Sequence, residues 1–339
     1  MRKYDLFIGI DISKNWIDVS LTCDGVKKQM PHIRVDNTEA GFAKLLKWMR
    51  STALYVRDKN RWLCCMEHTG VYTLRLCRFL EQKRIAYVLV DLLHLKYSLG
   101  LRRGKNDKED SAHIARFIFM HHDELELSEI ISDKLLILKN LLSLRKRLVK
   151  SRAALNTASK ELQAFEKKVI TQQVVPISQK QAKQLHQSIK QIEKRMLQLI
   201  RSDEELDRLY DLVTSVKGAN LIIATALLVF TVGFKAFTDP RKFAVYIGLV
   251  PFEWKSGESL NVPAKVSHLA HKTIKGYISN GASSAMQHDK ELKAYYQRRL
   301  AQGKNKYVVQ NAIRNKFLYR IFAVVKRGTP YVEFGTFRS

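Results

Sequence analysis

Leu6-Phe7-Ile8-Gly9-Ile10-Asp11-Ile12-Ser13, running on into Trp16-Ile17-Asp18-Val19-Ser20-Leu21, is the stretch whose reading decides the fold. Its apolar residues occupy both sets of alternating positions, the pattern of a central strand buried on both faces. A carboxylate near the end of such a run is unfavourable unless a cation compensates it, so Asp11 is a metal-ligand candidate, with a turn or cap role as the plain alternative. Working outward, residues 4 to 12, 16 to 22 and 29 to 35 read as three strands, with Asp24-Gly25 in the second turn. A helix from Glu39 to Arg50 follows behind Thr38 as its cap, then strand Trp62–Met66, helix Val71–Glu81, strand Ile85–Val90, a basic segment from Lys96 to Lys105, and a helix over Asp107–His121. A three-strand meander followed by alternating helices and strands predicts an α/β domain over 1–127, a mixed sheet covered by helices.

The 339 residues carry 59 Lys plus Arg against 32 Asp plus Glu, a net charge of +27. An excess of that size points to a polyanionic partner, nucleic acid before a membrane surface, because no lipidation motif or long basic amphipathic helix accompanies it. Cys23, Cys64, Cys65 and Cys77 lack metal-site spacing and read as reduced core residues. The longest apolar run, Leu221 to Phe234, is too short to span a bilayer and the N-terminus has no signal-like segment, so a cytoplasmic protein is expected.

Three more carboxylates stand beside Asp11 in the reading. Glu67 closes the fourth strand in Cys65-Met66-Glu67-His68-Thr69-Gly70, at the strand end where sites of α/β folds gather. Asp107 and Asp110 open a helix in Lys105-Asn106-Asp107-Lys108-Glu109-Asp110-Ser111, and their i, i+3 spacing puts them on one face. Four such hard oxygen donors suit a pair of Mg²⁺ ions that clamp the attacking and leaving oxygens of a phosphodiester about 4 Å apart. Taken singly, Asp107 reads equally well as a helix-cap residue and Glu67 as the partner of a lysine.

Gly9-Ile10-Asp11-Ile12-Ser13-Lys14, Met66-Glu67-His68-Thr69-Gly70 and Lys105-Asn106-Asp107-Lys108-Glu109-Asp110-Ser111, in that order, resemble the tetrad of the Piv/MooV-type DEDD insertion-sequence transposases, the bridge-RNA-guided recombinases. The resemblance implies an N-terminal RuvC-like domain of the RNase H-like fold and a metal-binding tetrad of Asp11, Glu67, Asp107 and Asp110.

Over 128–212 the chain changes character. Leu141, Leu144, Leu148, Ser151, Leu155, Ala158, Leu162, Phe165 and Val169 form a heptad seam, and Ala182, Leu185, Ile189, Ile192, Met196 and Leu199 form a second. A break is expected at Val174-Val175-Pro176-Ile177, with Ser178 and Gln181 as a capping box, giving a coiled-coil helical hairpin or a dimerising coiled coil. The resemblance implies such a coiled-coil linker and a homodimer or tetramer.

Residues 213–339 carry 20 Lys plus Arg against 6 Asp plus Glu and read as mostly α-helical. Val216-Lys217-Gly218-Ala219-Asn220 resembles a helix-hairpin-helix turn that could meet a DNA phosphate through Lys217 and Gly218; Asn220 stands at the second glycine of that motif, where Asn tolerates the left-handed conformation. Phe252 to Ser259 reads as a turn-rich segment. By resemblance to the family's C-terminal transposase domain, the serine before Gly257 in that segment, Ser256, is the nucleophile, with Ser13, Ser259 and Ser267 as rivals on sequence alone. Relatives continue with a Lys-x-Gly element and a helical arginine, where this chain has Ser267-His268-Leu269-Ala270-His271-Lys272 and Lys275. The cations Lys105, Lys255, Lys272, Lys275, Arg314 and Arg320 are candidate nucleic-acid contacts, and Tyr295, Tyr296 and Tyr307 lie among the charges as core or base-stacking residues.

The resulting expectation is a DNA transposase of an insertion sequence that attacks a phosphodiester with Ser256, assisted by the Mg²⁺-loaded tetrad. The resemblance further implies donor and target DNA, a bridge RNA, and a composite site in which the tetrad of one protomer serves the serine of another. A RuvC-like structure-selective nuclease using metal-activated water alone, an actin-like kinase suggested by Gly9-Ile10-Asp11, and a non-enzymatic nucleic-acid binder are the competing classes. The kinase would need a second Gly-rich phosphate loop, which the sequence lacks.

Overall fold

Alternate residues of the first strand face different helices, as a strand buried on both sides requires. A computed structural model describes residues 3–26, 30–67, 70–90, 95, 106–256, 260–266 and 270–332, with backbone alone for 253–256 and 260–265. The chain divides into two compact units, Met1–Ile130 and Ile131–Ser339.

The first unit holds a five-stranded sheet of β1 (Leu6–Ile12), β2 (Trp16–Thr22), β3 (His32–Asp36), β4 (Trp62–Glu67) and β5 (Ala86–Val90), in the order β3-β2-β1-β4-β5. β1, β2 and β3 pair antiparallel, whereas β1, β4 and β5 pair parallel, so the expected β1 is central. Leu6, Ile8, Ile10 and Ile12 pack with Phe42 and Met49 of α1 (Glu39–Ser51) and Leu76 and Leu80 of α2 (Leu74–Gln82). Phe7 packs with Leu63, Cys65 and Val88 against Ile114, Phe117 and Ile118 of α3 (Asp107–His121). This mixed sheet with helices on both faces is compatible with the RNase H-like expectation. Thr38 caps α1 as expected, its hydroxyl accepting from the Gly41 N–H. Cys64, Cys65 and Cys77 are buried in the sheet and its helices, and burial raises all three thiols, Cys77 to about 11, which keeps them protonated and unreactive.

In the second unit α4 (Asp133–Phe165) and α5 (Lys168–Arg201) form a helical hairpin. The pairs Arg145–Glu193, Arg152–His186 and Ser159–Ser178 descend one helix while ascending the other, which fixes the antiparallel arrangement. The connection departs from the expectation. The break falls at Glu166–Lys167, and Pro176 lies inside α5. A proline removes a single backbone donor, and packing of Val175 and Ala182 in the seam keeps the helix continuous across that loss. Ser178 therefore caps nothing; its hydroxyl meets Ser159 and the Leu155 carbonyl across the hairpin. The first seam is also shifted, because Leu138, Leu142 and Ser159 are buried while Leu144 and Phe165 are exposed. The second seam holds, with Ala182, Ile189, Ile192 and Met196 buried.

The root of the hairpin shares one core with the C-terminal helices: Leu138, Leu142, Met196 and Ile200 pack with Leu227, Phe243, Ile278 and Phe317. Those helices are α6 (Glu204–Thr214), α7 (Leu221–Phe230), α8 (Pro240–Tyr246), α9 (Lys272–His288), α10 (Lys290–Ala301) and α11 (Lys306–Arg327). The segment read as turn-rich instead begins as a strand, β6 (Pro251–Ser256), antiparallel to β7 (Leu260–Val266). Among the described residues no helix is long and apolar enough to cross a membrane; the apolar α7 is buried inside this core.

Candidate metal centre and nucleic-acid surface

Register and parity bring the acidic residues to one side of the sheet. Asp11 on β1 lies opposite Asp18 on β2, which lies opposite Arg34 on β3, so all three point to the face covered by α3. Glu67 follows Met66, the register partner of Ile10, and ends β4 on the same face. α3 approaches that face closely because residue 9 is glycine: a Cβ there would lie 2.1 Å from the Ala115 nitrogen and 2.2 Å from the Ser111 oxygen. The buried Ser111 hydroxyl, 2.8 Å from that of Ser20, ties the helix to β2.

The N-terminus of α3 is capped by Asn106, whose side chain accepts from the Lys108 N–H, and Asp107, Glu109 and Asp110 occupy its first turn, where the helix dipole favours negative charge. The first-turn position delivers Asp107 and Asp110 to Asp11. One oxygen from each of Asp11, Asp107 and Asp110 lies within 4.8 Å of the other two, and all three residues are half-buried. Glu67, on the same face, is not part of this group of three. Three converging carboxylates offer hard oxygen ligands at a spacing one divalent cation can bridge, so the donor set fits Mg²⁺.

A second layer of charge, absent from the sequence reading, supports this group. Asp18, only 2% exposed, accepts from Arg34 Nε at 3.0 Å and sits 2.9 Å from His32 Nε2, while the same guanidinium reaches Asp107 at 2.9 Å. The hydrogen bonds to Asp18 raise the Arg34 pKa further, so the guanidinium is a permanent cation spanning the buried Asp18 and the candidate ligand Asp107. The alternation of Asp18 and Arg34 in neighbouring strands was present in the sequence, but it takes the register to make them a pair.

The cations named from sequence fall into distinct environments. Lys105 and the side chains of Lys255 and Ser256 lie outside the described residues, as do Ser259 and Ser267, whereas the backbone of Ser256 closes β6 opposite Leu260. Lys272 is exposed at the start of α9. Arg320 is engaged inside the fold, bonded to Asp289 at 2.7 Å and Glu291 at 2.5 Å. Lys275 donates to the Gly248 carbonyl at 2.7 Å, and Arg314 is half-buried on α11. Gly218 takes a positive φ of 94°, and a Cβ there would lie 2.4 Å from the Gly281 carbonyl, so close packing on α9 accounts for this glycine. Asn220 is extended, with φ −134°, and serves as the cap of α7 by accepting from Ile222 and Ile223, which corrects the expected left-handed role; the turn beside Lys217 is built by Gly218 instead. Tyr295 and Tyr296 are half-buried against the core and Tyr307 is 76% exposed.

Against this geometry, comparison with known proteins is consistent along the chain. A family model for the DEDD domain of IS110 elements, described as Transposase, matches residues 8–165, a span that contains Asp11, Glu67, Asp107 and Asp110. A second, described as Transposase IS116/IS110/IS902 family, matches residues 210–297, which contain Ser256 and Lys275. The chain is also similar to the pilin gene-inverting proteins of Moraxella bovis and Moraxella lacunata, each 24% identical over 339 residues that take in 96% of this chain and 97% of the relative. The two family models follow one another in order and together take in most of its length, and the chain belongs to the IS110-type family of DEDD transposases.

Proposed function

We propose that this DNA transposase cuts and rejoins DNA through a covalent bond between Ser256 and a DNA phosphate, with Asp11, Glu67, Asp107 and Asp110 as the metal-binding residues of the same reaction. The observation that supports the reading best is the convergence of Asp11, Asp107 and Asp110, from a strand end and a helix start, to within 4.8 Å. Mg²⁺ bound there, as one ion or two, would stabilise negative charge on phosphate oxygens. Asp11, Asp107 and Asp110 would hold it, with Glu67 at the adjoining strand end completing the set. Arg34 would keep Asp107 oriented toward the other two.

In the proposed chemistry the Ser256 hydroxyl loses its proton and its oxygen attacks the phosphorus. The P–O bond to one strand breaks, and the leaving oxygen takes up a proton as a free hydroxyl. A hydroxyl from a second DNA end then attacks the same phosphorus, releases Ser256 and restores a phosphodiester. One P–O bond forms for each one broken, so no nucleotide cofactor is consumed. The excess of +27 charges supports donor and target DNA and a guiding bridge RNA as partners. Exposed Phe165, Val169 and Ile177 near the hairpin tip support a homodimer or tetramer assembled through 128–212, with 1–127 and 213–339 as the flanking domains and the cytoplasm as the place of action.

The test is trapping of a protein–DNA adduct on a DNA substrate carrying the element's ends. Ser256→Ala should abolish adduct and recombination and leave DNA binding intact. Asp11→Asn should abolish both products while the protein stays folded. Recombination by Ser256→Ala at the wild-type rate would overturn the serine assignment.

A further inference from the structure

Several half-buried cations of the second unit have an acid beside them. Arg145 meets Glu193, and Arg320 meets Asp289 and Glu291. Lys275 on α9 and Arg314 on α11 are different. Both are half-buried, and among the described residues neither has an acidic partner; the Arg314 guanidinium has no hydrogen-bond acceptor there either. Burial lowers the pKa of both groups, and the positive charge of Arg314 lowers that of Lys275 further, so the two cations lie close enough to repel. A fold that holds two like charges partly out of water without a counter-ion loses stability by doing so.

The surroundings continue the same chemistry. Arg314 lines a shallow, open recess together with Ser279, Ser283 and Gln310. On α9 the Ser279 hydroxyl is committed to the Lys275 carbonyl, to which it donates at 2.7 Å, while Gln310 lies one turn before Arg314 on α11, so Ser283, Gln310 and Arg314 are the donors beside the recess. Next to it, Lys275 donates to the Gly248 carbonyl, and Asn311 and Asn315 donate to that of Leu249. These three side chains fix the backbone immediately before β6, the strand that ends in Ser256.

We infer that Lys275 and Arg314, with Ser283 and Gln310, form a seat for one phosphodiester of bound DNA beside the root of β6. A phosphodiester is an anion with acceptors only, and it supplies the charge and the acceptors that this group of donors lacks. That the phosphate belongs to DNA rests on the transposase reading above; the unpaired cations do not depend on it.

Two measurements on the full chain test the seat. The first is binding of duplex DNA carrying the element's end, followed against salt concentration. Arg314→Gln should weaken binding about tenfold on all sequences alike and lower the salt slope by about 1, as loss of one phosphate contact requires. Arg314→Lys should keep the slope and lose part of the affinity, because it retains the charge without the two-pronged geometry. The second is thermal unfolding without DNA. Arg314→Gln should melt at or above the wild-type temperature, since it removes an unpaired charge, and replacing chloride by inorganic phosphate at fixed ionic strength should raise the wild-type midpoint more than the variant's. A variant that is destabilised, or one that binds with unchanged affinity and slope, would overturn the seat. Unchanged DNA binding with weakened binding of structured RNA would overturn the assignment to DNA. If the wild type binds DNA and recombines while the variants match it, the seat alone fails; if the wild type does not bind DNA at all, the functional reading itself fails.

Discussion

Gly9→Ala is the sharpest test of how this chain builds its acidic centre. The added methyl would lie 2.1 Å from the Ala115 nitrogen and 2.2 Å from the Ser111 oxygen, and both are backbone atoms of α3 that cannot rotate aside. Restoring an ordinary contact of 3.4 Å requires α3 to withdraw by about 1.3 Å. Overpacking of this kind costs roughly 1 to 3 kcal/mol, and a clash with backbone on two sides belongs at the upper end. For a unit of 130 residues, about 3 kcal/mol lowers the melting point by roughly 10 °C. The same withdrawal carries Asp107 and Asp110 away from Asp11 and breaks the Ser20–Ser111 contact. Catalytic geometry tolerates about 0.5 Å, and a misplacement near 1 Å costs on the order of 100-fold in rate. Thermal unfolding with and without Mg²⁺, alongside a strand-exchange assay, reads both effects: a lower midpoint, a smaller Mg²⁺-induced rise and slower exchange are expected. A variant that melts within about 2 °C of wild type and keeps its full Mg²⁺ response would refute the claim that glycine at this position sets the distance between helix and strand.

Other perturbations give equally direct readouts. Asp18→Asn should lower stability in denaturant unfolding, because it removes the buried carboxylate that Arg34 and His32 meet, and it should weaken Mg²⁺ binding as the exposed guanidinium turns to Asp107. His271 caps α9 by accepting from the Ile274 N–H, and burial followed by the charges of Lys146 and Lys139 on α4 lowers its pKa. Its folded state therefore binds a proton less readily than the unfolded chain, so its contribution is full above about pH 6.5 and is lost as pH falls below that value. His271→Gln should flatten the stability profile between about pH 5 and 7 in urea titrations; an unchanged profile would refute the assignment. Gly218→Ala should lower the melting point through its contact with Gly281, and any loss of DNA binding should vanish once the folded fraction is taken into account.

How far each of these features could be read in advance follows from the kind of information a sequence holds. The two-faced apolar pattern of β1 fixed its central position, and the i, i+3 spacing of Asp107 and Asp110 put them on one helical face, because periodicity records which sides of an element are covered. Family motifs in their order carried the transposase identity. Periodicity does not record which neighbour does the covering. Pro176 looked like a stop because a local rule was applied to a helix that tertiary packing holds together, and Phe252 to Ser256 looked like turn because a short strand needs β7 opposite it to be recognised. The Asp18–Arg34–Asp107 chain, the approach of α3 onto Gly9 and the lack of an acidic partner for Lys275 and Arg314 among the described residues are relations between residues from 16 to 106 positions apart. Pairing and desolvation act through space, and so only the folded chain decides which charges are answered within the protein and which are left for a ligand.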